Sequence, residues 1–223
     1  MNFDAVTIMA LVDELNATLA GGRVQDAVEV DPETIGLEIY ADHRRHYLVV
    51  SAHQQFARVH LASEKVRRGV QKPSPLGLLL RRYAEGARIE AIRQPEWERV
   101  LILDLDGPEG VYELVIEPME RRANILLVRD DGRIVDCIRR VGPQENRVRV
   151  SLPGQPYEPP PPQKPGYPHD TCPPAQGHTR RGCRCFRRFP PAWADRTARQ
   201  QRAAYQSPGP GSASWRAGRP PRT

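Results

Sequence analysis

Arginines set beside carboxylates and imidazoles are the residues of this 223-residue chain with chemistry to offer. Glu98-Arg99 joins an acid to a planar fork of N–H donors, which matches phosphate oxygens and base edges bidentately. The same spacing also fits an ordinary strand-edge ion pair with its two side chains on alternate faces. His53, Arg58 and His60 form a second group. Alternation along a strand puts Arg58 and His60 on one face, where a guanidinium reaches an RNA backbone and imidazoles donate or stack; structural hydrogen bonding is the competing role. Arg81-Arg82 and Arg121-Arg122 are adjacent pairs suited to backbone phosphates, or to a solvated face.

The chemistry open to these residues is nucleic-acid binding rather than bond-making, and their spacing by itself fits the structural roles better. No phosphate-cradling loop, zinc-protease helix or nucleophile elbow occurs, and no serine has the His/Asp framing of a triad, so no enzyme is expected. His169, Cys172, His178, Cys183 and Cys185 supply the side chains preferred by zinc, but their irregular spacing matches no knuckle or ribbon. Neither a metal nor a cofactor is expected.

The elements that must position these groups are legible in the periodicity. Residues 4 to 20 place Val6, Met9, Val12, Leu15 and Leu19 at helical spacing, with Asp4 as N-cap and Gly21-Gly22 as a stop. A second helix is predicted over 73 to 86, opened by Pro73-Ser74-Pro75, carrying Leu78, Leu79, Leu80 and Tyr83, and closed by Gly86. Strands are predicted at 23–31, 34–40, 45–51, 57–61, 87–93, 98–105, 111–117, 123–129 and 133–141, separated by Asp, Pro and Gly punctuation. The count predicts an α+β domain: a mostly antiparallel sheet or sandwich with two main helices. Cys137 reads as a small buried or half-buried apolar residue.

Composition breaks near Gln163. Residues 164 to 223 contain no Leu, Ile, Val or Met and carry 12 Lys+Arg against 2 Asp+Glu, whereas residues 1 to 163 carry 21 against 25. The basic pI of about 9.4 therefore belongs to the tail and is no argument for RNA binding by the domain. The expected organisation is a domain over 1–151, a Pro-rich strap or linker over 152–163, and a disordered Arg/Pro/Gly-rich tail over 164–223. No 18-residue apolar stretch or basic-then-apolar leader is present, so neither a membrane span nor a signal peptide is expected, and the location is expected to be cytoplasmic.

In unbroken order the chain carries Phe3-Asp4, Glu14-Leu15-Asn16, Gly21-Gly22-Arg23, Ser51-Ala52-His53, Ala57-Arg58-Val59-His60-Leu61, Leu79-Leu80-Arg81-Arg82, Glu98-Arg99 and Asn124-Ile125-Leu126-Leu127-Val128. Asp136, Arg139 and Arg140 follow, then Leu152-Pro153-Gly154 with Tyr157. This series resembles the N-terminal domain of the NFACT family, the ribosome-quality-control factors called RqcH in bacteria and NEMF in animals, under the older label fibronectin-binding protein A. The resemblance implies a fold like the N-terminal domain of formamidopyrimidine-DNA glycosylases. It also implies binding to large ribosomal subunits obstructed by peptidyl-tRNA, and to a tRNA that supports C-terminal tailing of the stalled chain. Glu98-Arg99 falls on the family's Asp-Arg signature, with a methylene added to the acid. Further departures are Ala5 for Gly, Gln54 for Pro, and Glu120-Arg121-Arg122-Ala123-Asn124 for Gly-Arg-His-Ser-Asn.

The family's later helical hairpin, coiled coil and C-terminal RNA-binding domain have no counterpart in residues 164–223, which reads as a truncated or frame-shifted tail. Two alternatives stand beside the ribosomal one. One is a glycosylase-like domain that binds nucleic acid without catalysis, since the processed Pro-Glu terminus of those enzymes is replaced by Met1-Asn2-Phe3; the other is a fibronectin-binding adhesin, which the lack of an export signal opposes.

Overall fold

A computed structural model describes residues 3–95 and 97–161. The predicted tail, with its histidines and cysteines, lies outside the described residues. The chain runs α1 (Ala5–Leu19), β1 (Arg23–Asp31), β2 (Thr34–Ala41), β3 (Arg44–Ser51), β4 (Arg58–Ala62), α2 (Pro75–Tyr83), β5 (Arg88–Arg93), β6 (Leu101–Gly107), β7 (Gly110–Glu117), a 3-10 turn at Glu120–Arg122, β8 (Asn124–Arg129) and β9 (Ile134–Cys137). This is the α+β architecture expected, an antiparallel sheet ordered β4-β3-β2-β1-β5-β6-β7-β8-β9 with two helices.

The two halves of the sheet join at a short seam, where the Gly21 N–H donates to the Ile89 carbonyl at 2.8 Å, the Ile89 N–H to the Gly22 carbonyl at 2.8 Å and the Val24 N–H to the Ala87 carbonyl at 2.9 Å. β1 and β2 pair over their whole lengths, but β1 meets β5 at a single register pair, Arg23↔Arg88. Each half sends alternate side chains into one core: Ile35, Leu37, Leu48 and Val50 from the first, Leu101, Leu103, Leu114, Ile125 and Leu127 from the second. Helix α1 adds Ile8, Val12, Leu15 and Leu19, and α2 adds Leu76 and Leu80. On the second half's opposite face, Ile102, Val115, Leu126, Val128 and Ile134 form another buried cluster, against which Tyr157 packs.

Local chemistry sets the helix ends. Asp4 caps α1 by accepting from the Thr7 N–H at 2.7 Å, and Ser74 caps α2 by accepting from the Gly77 N–H at 3.1 Å, with Pro75 in the first turn. After α1 the chain squeezes past β2: a Cβ on Gly22 would lie 2.7 Å from the Ala41 Cβ, so only glycine fits. Asn16 behaves like a piece of strand, its Oδ1 accepting from the Ile92 N–H at 2.9 Å while its amide donates to the Ile92 carbonyl. That bond fastens α1 to β5.

Two expectations need correction. Val6 and Met9 are about half exposed, at 57% and 49%, because the inward stripe of α1 is Ile8, Val12, Leu15 and Leu19. The strand predicted from residue 98 begins instead at Leu101, so Glu98 and Arg99 are not a strand-edge pair but belong to the β5–β6 loop.

Candidate nucleic-acid interface

The loop that carries Arg99 is tied to the start of α1. Gln94 Nε2 donates to the Ala5 carbonyl at 2.8 Å and to the Glu98 carbonyl at 2.7 Å, and the Glu98 N–H donates to the Pro95 carbonyl at 3.0 Å. Within this loop Trp97 adopts a left-handed φ of +59° and is 61% exposed. Arg121 comes from the 3-10 turn between β7 and β8, which the Arg139 guanidinium holds by donating to the Arg121 carbonyl. Arg139 is itself fixed: it donates to Glu33 at 3.1 Å, and Asn124 Oδ1 accepts from its backbone N–H at 2.9 Å.

Arg99 and Arg121 thus arrive from elements far apart in sequence and line one cleft of about 610 Å³, together with Phe3, Gln54, Gln55 and Glu120. Asp4 adds to the local field. The Thr7 backbone N–H holds its carboxyl below the usual carboxylate range, and the Arg99 charge acts in the same direction. A cleft with two guanidiniums and amide side chains has the chemistry to take phosphate oxygens and base edges.

Adjoining it is a groove of about 540 Å³ that shares Phe3, Gln55 and Ala57 with the cleft and is also lined by Leu11, Phe56, Arg58, Val59 and His60. Arg58 and His60 occupy exposed positions on either side of buried Val59, so they share a face. Burial, then repulsion from Arg58, lowers the His60 pKa from its ordinary 6.5, leaving the imidazole mostly neutral at pH 7. His53 shapes the loop before β4: its Nδ1 accepts from the Gln55 N–H at 3.2 Å, and its ring stacks on Phe56 at 5.4 Å.

The other sequence candidates divide. Arg122 lines a separate cavity on which Arg121 also borders. Glu98 is half-buried in the loop but is not part of the cleft wall. Arg81 and Arg82 sit on α2, 4.0 Å from Glu85 and 3.3 Å from Glu109 respectively, and line neither cleft nor groove. Sequence reasoning missed Asp4 as a charge near Arg99 and Phe56 and Trp97 as exposed planes. Aromatic residues interleaved with Gln and Arg between strands were the available signal. Among the described residues no group of three or more His, Cys, Asp and Glu is placed to hold a metal ion, and no helix is long and apolar enough to cross a membrane.

Residues 4–175 match the family model described as NFACT N-terminal and middle domains. The chain belongs to the NFACT family. Over 167 residues it is 33% identical to the Rqc2 homolog RqcH of Streptococcus suis, covering 72% of this chain and 30% of that protein. Over 169 residues it is 31% identical to the Rqc2 homolog RqcH of Bacillus subtilis, covering 73% of this chain and 30% of that protein. This NFACT chain therefore spans about 30% of the length of those curated relatives. It is also similar to the ribosome quality control complex subunit NEMF of Mus musculus, at 25% identity over 137 residues, 61% of this chain and 12% of that protein. The crystal structure of the N-terminal domain of fibronectin-binding protein PavA from Streptococcus pneumoniae superposes with a TM-score of 0.67 at 32% identity, covering 72% of this chain and 62% of that one. Ribosome quality control is the common theme of the RqcH and NEMF names, whereas the structural neighbour is named for fibronectin.

Proposed function

We propose that this domain acts in ribosome-associated quality control. In this reading it binds large ribosomal subunits obstructed by peptidyl-tRNA, together with a tRNA that supports C-terminal tailing of the stalled chain. It holds RNA without catalysing a reaction and works in the cytoplasm, on a scaffold akin to the N-terminal domain of formamidopyrimidine-DNA glycosylases. The observation that carries the reading is the convergence of Arg99 and Arg121 on one cleft, where neither belongs to a shared secondary element. Guanidiniums supply phosphate affinity, and exposed Phe56 and Trp97 offer planes on which unstacked bases lie.

Sedimentation of the tagged protein with large ribosomal subunits tests it. The intact chain is expected to cosediment, and Arg99→Ala and Arg121→Ala each to reduce the bound fraction at least about tenfold at about 150 mM salt, consistent with lost charge-assisted bonds. No association of the intact chain with subunits or tRNA sinks the reading. The name of the PavA neighbour favours a second one, a fibronectin-binding surface. Saturable binding to immobilised fibronectin that Arg99→Ala leaves untouched would support that alternative.

A further inference from the structure

Across Arg121 from the cleft lies another cavity, of about 470 Å³. Arg121, Arg122, Arg139 and Arg149 line it, against only two acids, Glu117 and Glu145, with Asn146 as a neutral donor. Two of the four arginines are anchored. Arg149 Nη1 donates to Glu117 at 2.8 Å, and that carboxylate, 1% exposed, also accepts from the Tyr157 hydroxyl at 3.0 Å. Arg139 is anchored by Glu33 at 3.1 Å. Arg121 and Arg122 are exposed, and neither forms an ion pair among the described residues. Converging guanidiniums repel one another, and an anion seated among them relieves that repulsion.

We propose that this cavity is a second phosphate site, taking a backbone phosphate of the same RNA strand that enters the Arg99 cleft. Arg121, which borders both, is the bridge. Arg122 is the main contact, and Asn146 adds a donor. Glu145 opposes the phosphate charge. The proposal rests on the RNA-binding reading above and extends it from a single cleft to a two-phosphate track.

Anisotropy titration of fluorescent tRNA with the full chain, repeated between about 50 and 200 mM salt, provides the test. Arg122→Ala is expected to lower the slope of log K against log salt by about 0.7 to 0.9, the signature of one lost phosphate contact, and to weaken several tRNA sequences alike. Glu145→Gln is expected to tighten binding several-fold. An unchanged slope for Arg122→Ala, or unchanged affinity for Glu145→Gln, overturns the second site if Arg99→Ala still weakens binding. Failure of the unaltered chain to bind tRNA overturns the RNA-binding reading itself. Thermal melting checks folding of Arg122→Ala; should that variant not fold, the Glu145→Gln titration decides.

Discussion

Glu120 carries a left-handed φ of +47° at the point where the family pattern has glycine, so the departure seen in the sequence has a backbone consequence. A side chain in that region costs about 1 to 2 kcal/mol, and this one also brings a carboxylate into the wall of the Arg99–Arg121 cleft. Glu120→Gly is therefore expected to stabilise the domain by about 1 kcal/mol, a rise in Tm of about 3 °C, and to tighten tRNA binding. A melt and a tRNA titration on the same preparation check both; a lower Tm would show that the turn depends on the glutamate. Cys137 is a simpler case. Burial, followed by the nearby Asp136 charge, pushes its thiol from 9.0 up to about 12. The thiol should resist alkylation at pH 8 in the folded protein and react after denaturation, as peptide mapping would reveal. Because the folded state keeps the proton that the unfolded state releases, stability should fall by about 1.4 kcal/mol per pH unit between about pH 9 and 12 from this group. Cys137 was readable as buried from its apolar strand setting, whereas the strain at Glu120 was not: a residue letter does not report its φ.

At the scale of elements, α1 and the β5–β6 loop act as one piece. Asn16 bonds β5 through Ile92, and Gln94 spans from Ala5 at the start of α1 to Glu98 beside Arg99. Gln94→Ala removes two hydrogen bonds and is expected to cost about 1 to 2 kcal/mol. It should also weaken tRNA binding by letting Arg99 wander. Arg82→Ala, which removes an exposed pair with Glu109 and the stacking of the guanidinium over Tyr83, both away from the cleft, should leave affinity within about twofold. Equal effects of the two variants would break the assigned link between this loop and the cleft. Both helices and the succession of strands were legible because side-chain period and turn residues are local signals. Val6 and Met9 were misplaced because α1 is apolar on more than one face, and periodicity alone does not choose which face turns inward. Arg99 was read into a strand because Val100 and the run after it are strongly apolar, with only Trp97 and its unusual φ marking the loop.

For the whole molecule, the decisive contacts are long-range, and single-sequence patterns do not encode them. Nothing in local spacing says that Arg99 and Arg121 line the same cleft, or that Arg139, in the bend after β9, reaches Glu33 in the turn between β1 and β2. The Pro-rich segment shows the same dependence. Residues 154–157 pair with the start of β9 and the turn before it: the Ile134 N–H donates to the Gln155 carbonyl at 2.8 Å, the Gly154 N–H to the Ile134 carbonyl at 2.7 Å, and the Tyr157 N–H to the Gly132 carbonyl at 2.8 Å. Gly154 makes this path available with a φ of +82°. Tyr157 then packs on the outer cluster of Ile102, Val115, Leu126 and Val128, with its hydroxyl on buried Glu117. A chain ending at residue 151 loses these bonds, uncovers the β9 edge and deprives Glu117 of a donor, at an expected cost of about 3 to 5 kcal/mol and with a tendency to associate through the exposed edge. A chain ending at residue 161 keeps them all. Melting curves and size-exclusion profiles of the two chains compare the cases directly. Similar Tm values and monomeric elution for both would mean that the segment is a passing linker; a lower Tm and aggregation of the shorter chain alone would make it the closing piece of the second half of the sheet.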